Sequence, residues 1–393
     1  MRVLISAGEA SGDLYASCVV EALRARGSDA EFFGCAGPRM QAAGVRPIID
    51  ARSISVVGLV EVVAHIPRIW SEFRKLSRAI GVEKPDLAVL TDSSGFHLRV
   101  AKALRRHGVP VVYLIAPQAW AWRQQRVRTM RATIDRLLCI FPFEKEFFEK
   151  HGIATTYIGH PLARIVRPSL SRQEFCEKFK LPYDRPLITL LPGSRPGEVA
   201  RHVPYLIDAA GRIGERRKAS FVLALPGGFG AEQANFSERI RASSIQVIEG
   251  STWDALAHAE LAVAASGTVT IEAALLGVPM VTFYRVNALT WMLGRRLVRA
   301  PFLSMVNLVA GRRIVPELMQ GAMTGETIAA EALRLLEDDG ARERMRSDLA
   351  EVGRKLSSER DPMETAAEWI EKTYIQARAN TARGGYGEQA DTA

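Results

Sequence analysis

Short apolar runs alternate along the chain with longer stretches in which apolar residues recur every three or four positions. The runs at residues 3–7, 31–35, 86–91, 109–115, 137–141 and 156–158 predict strands. Helical patterns separate them, the first over residues 11–26 and closed by Gly27. Strands alternating with helices predict a parallel, doubly wound sheet. The alternation breaks at residues 164–186, a charged connection that contains three prolines. A second α/β series then runs through residues 187–191, 220–225, 245–249, 261–265 and 280–284. From about residue 325 the pattern is helical. Two α/β domains follow, 1–163 and 164–354, with a helix at 355–375 that packs back on the first domain or is exchanged. Residues 376–393 lack apolar periodicity, which predicts a disordered tail.

Composition narrows the class. The 393 residues are 48% hydrophobic and 24% charged, enough apolar material for two ordinary cores. A net charge of +9 favours an anionic partner, and the absence of a helix-turn-helix, RNP or zinc-finger pattern makes nucleic acid the weakest candidate. The four cysteines form no CxxC pair or Cys/His cluster, so neither a structural zinc nor a disulfide framework is predicted. The first apolar run is too short, and too soon polar, for a signal peptide, and no run is long enough for a membrane span. A cytoplasmic protein is the expectation. Residues 65–80 and 287–305 are basic yet carry Trp, Phe and Leu. Such a helix either grips a membrane surface or shows a solvated basic face beside a core face.

Candidate chemistry falls in loops that follow strands. Residues 261–284 read as strand, tight turn, helix, glycine stop and strand. A helix opening at Ser266, Gly267 and Thr268 offers free N–H groups and hydroxyls to a phosphate. Glu272, about a turn further in, can reach a ribose diol; an ordinary capped βα turn looks the same. In GEASGD, residues 8–13, Ser11 and Gly12 allow close approach of an anion, while Glu9 suits sugar hydroxyls or a helix start. Asp92 ends a strand, as a general base or a turn former. PQAWAWRQQRV sets Trp120 and Trp122 beside Arg123, Arg126 and Arg128, as core or as ligand lining. In LPGSRPGE, Arg195 can hold a phosphate bidentately and stabilise a leaving diphosphate without a metal. His160 of GHP is a packing residue or a ligand contact. Asn307 falls in a predicted turn, with Glu317 and Gln320 three apart on a predicted helix.

The two halves match the GT-B architecture, two Rossmann-like domains facing a cleft, with a helical C-terminus. GEASGD, AGPRMQAAG, VVGLVEVV, PQAWAWRQQRV, FPFEKEFF, GHP, LPGSRPGE, ASGTVTIEA and NLVAGRRIVPELMQ occur in one order. Together, from residue 1 to about 375, they closely resemble the lipid-A-disaccharide synthase family. The resemblance implies an inverting glycosyltransferase that joins UDP-2,3-diacylglucosamine to 2,3-diacylglucosamine 1-phosphate (lipid X), giving a β-1,6-linked disaccharide 1-phosphate and UDP. It implies Asp92 as base and Glu9 as a catalytic or substrate contact on the sugar side. It also implies Arg195, Ser266, Gly267 and Thr268 at phosphate, Glu272 at the ribose, and Asn307, Glu317 and Gln320 lining the same cleft. No cofactor and no metal are implied.

The family further implies peripheral association with an anionic membrane surface, through residues 56–80, on the inner face of the cytoplasmic membrane. A homodimer exchanging C-terminal segments is a further implication. This chain departs from the family's Asp-x-Pro-Asp-Phe-Asn, reading Asp92-Ser93-Ser94-Gly95-Phe96-His97. His97 can replace lost polar contacts or share a proton. Gln118 and Ala119 stand where Ser-Val is commoner. A UDP-sugar 2-epimerase and a non-catalytic lipid or nucleotide-sugar binder are the competing readings.

Overall fold

In the computed structural model the apolar runs become strands of two all-parallel sheets. The structure describes residues 1–54, 59–122, 124–230, 237–287, 291–292 and 300–387. The chain divides into two units. One holds Met1–Pro161 and the chain from Ser358 onward; the other is Leu162–Ser357.

The first unit is built on β1 (Arg2–Ser6), β2 (Glu31–Ala36), β3 (Arg46–Asp50), β4 (Leu87–Thr91), β5 (Val111–Leu114), β6 (Arg136–Cys139) and β7 (Thr155–Tyr157). Their order is β3-β2-β1-β4-β5-β6-β7. Helices cover both faces, so Val3, Leu4, Ile5 and Leu87 to Leu90 are fully buried; that is why these strands are continuously apolar rather than alternating. The sheet winds outward in both directions from β1 and β4. Loops after these two strands therefore leave in opposite directions and open a crevice at their carboxyl ends, where such folds bind ligands. GEASGD follows β1 and opens α1 (Ala10–Ala25), and Asp92 follows β4 and precedes α4 (Ser94–Arg106).

The rest of GEASGD has a structural task. The buried Asp13 carboxylate accepts hydrogen bonds from the N–H groups of Gly37, Arg39 and Met40 at 2.9–3.1 Å. It thereby caps α2 (Pro38–Ala42), whose own first donors have no intrahelical partner.

The last helix, α17 (Pro362–Gly387), returns to this unit. Arg26, which caps the end of α1, donates to Glu371 at 2.7 Å, and Arg136 of β6 lies over the Trp369 ring. The helix extends past residue 375, the end expected for it, and continues to Gly387. Ala and Arg make up most of ARANTAR and are good helix formers, so the helix persists there without an apolar stripe.

The second unit repeats the plan with β8 (Leu187–Leu191), β9 (Ser220–Leu225), β10 (Ile245–Glu249), β11 (Leu261–Ala265), β12 (Met280–Tyr284) and β13 (Glu317–Met319), ordered β10-β9-β8-β11-β12-β13. Its switch lies between β8 and β11. LPGSRPGE follows β8 and leads into α10 (Pro196–Arg216); ASGT follows β11 and leads into α13 (Thr268–Leu275). The two most informative loops of the second half thus share one crevice by topology alone. Two expectations are corrected here. Glu317 lies in a strand, not on a helix, because β12 offers a free edge that residues 317–319 fill. Asn307 lies inside the helix α14 (Met305–Ala310), not in a turn.

Candidate active site

Asp92 is held in an unusual backbone state. Its φ is +51°, the left-handed region that a non-glycine residue seldom occupies. That conformation turns the side chain back across the sheet to the turn after β1. There Oδ1 accepts from the Gly8 N–H at 2.8 Å and Oδ2 from the Glu9 N–H at 3.0 Å. A Cβ at Gly12 would lie 1.7 Å from Asp92 Oδ2, so only glycine lets α1 pass this close. The sequence-predicted residues Glu9, Gly12 and Asp92 are therefore brought together, with exposed Ser11 beside them.

Burial raises the Asp92 carboxyl to about 8, with the nearby Glu9 carboxylate as the second cause and the two N–H bonds opposing. A carboxyl that titrates near neutrality is poised to accept a proton from a hydroxyl. Its backbone carbonyl accepts from the Tyr113 hydroxyl at 2.5 Å and from His97 Nδ1 at 3.2 Å. His97 is fully buried and held neutral, its value pushed down to about 4 by burial. It does not share the carboxyl proton: Nδ1 stands 3.9 Å from Oδ1 and is spent on the carbonyl. Tyr113 went unrecognised in the sequence because a tyrosine within VVYL reads as core.

The aromatic loop after β5 is pinned rather than open. Trp120 Nε1 donates to Glu144 Oε1 at 3.1 Å, and the ring meets Phe143 edge-on. Glu144 is buried, and burial raises its carboxyl to about 8. His160 is 1% exposed with its ring against Phe141, so packing claims it. The side chains of Trp122 and Arg123 lie outside the described residues.

In the second unit, Gly193 adopts φ +112° and lets the chain turn between β8 and Arg195. Arg195 Nη1 pairs with Glu198 Oε1 at 3.1 Å, and the Tyr284 hydroxyl donates to the same oxygen at 2.8 Å. The guanidinium is about two-fifths exposed and can turn toward an anion. Thr268 is exposed at the start of α13, where the first N–H groups of the helix point outward.

The predicted residues Ser266, Asn307 and Glu317 form one bonded cluster. Ser266 Oγ donates to the Leu303 carbonyl at 2.7 Å. The Leu303 and Ser304 N–H groups donate to the Glu317 carboxylate, which also accepts from Asn307 Nδ2 at 2.8 Å. Asn307 Oδ1 accepts from the Ile314 and Val315 N–H groups, and Nδ2 also donates to the Val315 carbonyl. With 0% exposure and every polar atom committed, Asn307 supports the loop from within rather than lining it. Gln320 turns at φ +52° and pairs its amide with the backbone of Val286. Glu272 accepts from Trp253 Nε1 at 3.0 Å, and burial raises its carboxyl. Among the described residues, no group of His, Cys, Asp and Glu could hold a metal ion.

Two parallel, doubly wound α/β units, each with a switch-point crevice, define a class: GT-B proteins, with two Rossmann-like domains in one chain. Solved structures agree. A glycotransferase of kitacinnamycin superposes with a TM-score of 0.62 at 15% identity, covering 95% of this chain and 98% of the other. The UDP-GlcNAc 2-epimerase of Neisseria meningitidis gives 0.61 at 13% identity, over 96% and 100%. Fold likeness therefore does not choose between transferase and epimerase. Sequence does. A family model described as lipid-A-disaccharide synthetase matches residues 3–368. The lipid-A-disaccharide synthase of Solibacter usitatus (strain Ellin6076) is 62% identical over 356 residues, 91% of this chain and 93% of that one. The chain belongs to the lipid-A-disaccharide synthase family.

The Asp92 environment makes a prediction independent of turnover. A carboxyl raised by folding holds its proton between its unfolded value near 4 and its folded value of about 8, so its contribution to stability is lost as pH rises through that window. Asp92→Asn cannot ionise. Its melting temperature relative to the wild type is expected to climb from pH 4 to pH 8 and then level. A difference that stays constant with pH would show that Asp92 is not perturbed.

Proposed function

We propose that the chain is the glycosyltransferase that condenses UDP-2,3-diacylglucosamine with lipid X to form the β-1,6-linked lipid A disaccharide 1-phosphate and UDP. The single observation that carries the reading is the raised Asp92 carboxyl on the Gly8 and Glu9 N–H groups, within a chain of this family.

In this mechanism Asp92 accepts the proton of the attacking 6-hydroxyl as that oxygen bonds to the anomeric carbon. The C–O bond to UDP breaks on the opposite face, so configuration inverts. Glu9, Ser11 and Gly12 receive the sugar beside the base. In the second unit Arg195 and the N–H groups of Gly267 and Thr268 take up the charge growing on the diphosphate, with Ser266 fixing the turn that presents them. Glu272 takes the ribose, Asn307 and Glu317 hold the loop behind it, and Gln320 anchors the strand end. Arginine and backbone dipoles supply the positive charge in this scheme, and no metal or cofactor is assigned a step.

The lipid substrates call for a membrane surface, and we assign that contact to α3 (Leu59–Glu83). No helix among the described residues is long and apolar enough to cross a membrane. On α3, Leu76 and Ile80 are buried and Phe73 packs against Phe96, whereas Ile66 and Trp70 are 53% and 46% exposed beside exposed Arg68 and Arg74. Side chains of residues 55–65 lie outside the described residues, as do most of residues 288–299.

Incubation of the protein with UDP-2,3-diacylglucosamine and lipid X is expected to give the disaccharide 1-phosphate by mass. An epimerised UDP-sugar, or UDP-sugar binding without product, would reject the reading. Asp92→Ala should lower kcat by about 100-fold or more with binding retained. Arg195→Ala should weaken UDP binding by roughly 10-fold or more, with Arg195→Lys restoring only part. Replacing Ile66 and Trp70 by Ser should reduce sedimentation with anionic vesicles at low salt; unchanged sedimentation would remove α3 from the membrane contact.

A further inference from the structure

The chemistry above leaves His97 without a role. We propose that His97 is a positioning residue, whose Nδ1–H joins the Tyr113 hydroxyl on the Asp92 carbonyl and so keeps the Asp92 carboxylate on the Gly8 and Glu9 N–H groups. The inference rests on reading Asp92 as the proton acceptor.

The tautomer follows from the partners. A backbone carbonyl only accepts, so the hydrogen lies on Nδ1. Nε2 is then an acceptor, and the Ser6 hydroxyl donates to it at 2.7 Å. Ser6 is the last residue of β1, while the carbonyl belongs to the residue just after β4. The ring thus ties together the ends of the two strands that form the crevice.

Its freedom to do anything else is small. It is 0% exposed, edge-on to Phe96 at 5.3 Å, and fixed through both nitrogens. The carbonyl it holds belongs to a left-handed residue, followed by Ser93 at φ +30°. Such a backbone persists only when its surroundings over-determine it. Two donors converging on one carbonyl supply that restraint. Relaxation of Asp92 to ordinary φ would swing the carboxylate off the Gly8 and Glu9 amides.

Side-chain geometry ranks the replacements. The amide nitrogen of asparagine sits at the same distance from Cα as histidine Nδ1, so it reaches the carbonyl but not Ser6. Glutamine places its nitrogen one bond further, and leucine has no donor.

The test combines steady-state kinetics with the pH dependence of the Gly8 and Glu9 amide signals, in the full chain, for His97→Asn, His97→Leu and Ser6→Ala. In the wild type both amides should titrate with the Asp92 carboxyl near its value of about 8. His97→Leu should lose that titration and lower kcat by about 10-fold or more with KM for both substrates within about twofold. His97→Asn should keep the titration and stay within about threefold of the wild-type kcat. Unchanged kcat and titration in His97→Leu would overturn the proposal, as would equal damage in His97→Asn. If His97→Leu does not fold, Ser6→Ala decides: the amide titration should weaken, and an unaltered titration overturns the proposal. Amides that respond as stated in a protein that forms no disaccharide would retain the positioning role and reject the transferase reading instead.

Discussion

Everything in the first unit depends on one contact, the Asp92 carboxylate lying on the N–H groups of Gly8 and Glu9. It spans the switch between β1 and β4, the only place in such a sheet where adjacent strands send their loops apart. The contact requires a glycine at position 12, a left-handed backbone at Asp92, and donors on the Asp92 carbonyl to hold that backbone. It also sets the chemistry. Burial raises the Asp92 carboxyl toward neutrality, and the neighbouring Glu9 adds to the effect. Fold, strain and proton affinity are therefore a single arrangement.

Under the proposed function the second unit meets a different need. A diphosphate needs donors that are fixed before it arrives, because donors that must reorganise lose much of their effect. The turn into α13 is fixed from behind: Ser266 binds the 303 carbonyl, Glu317 binds the 303 and 304 amides, and Asn307 braces Glu317. Arg195 is restrained by Glu198, which Tyr284 shares. Thr268 at the helix start is exposed, and so is about two-fifths of the Arg195 side chain.

The alternation of apolar runs and helical patterns was enough to read both parallel sheets except their outer strands β3 and β13, since strands buried on both faces must be continuously apolar. The loops at Glu9, Gly12, Asp92, Arg195 and Ser266 were legible because small and charged residues directly after such strands have few structural uses. The interior supports were not. Asn307, Glu317 and His160 look like ligand contacts in sequence; that Asn307 bonds Glu317 and the loop, and that the His160 ring packs on Phe141, depends on register that no local pattern encodes. Glu317 reads as helical in sequence because a three-residue edge strand is too short to show periodicity. Tyr113 was hidden by its strand, and the role of His97 emerges only once β1 lies beside β4.

The central claim is that a carboxyl with raised proton affinity accepts the proton of the attacking hydroxyl. The pH dependence of kcat/KM tests it most directly. The account predicts a rise with a slope of one and a midpoint set by Asp92, near 8, and a low rate without that limb in Asp92→Asn. A wild-type profile that is flat from pH 6 to 9, or an Asp92→Asn variant that keeps the same rising limb, would contradict it.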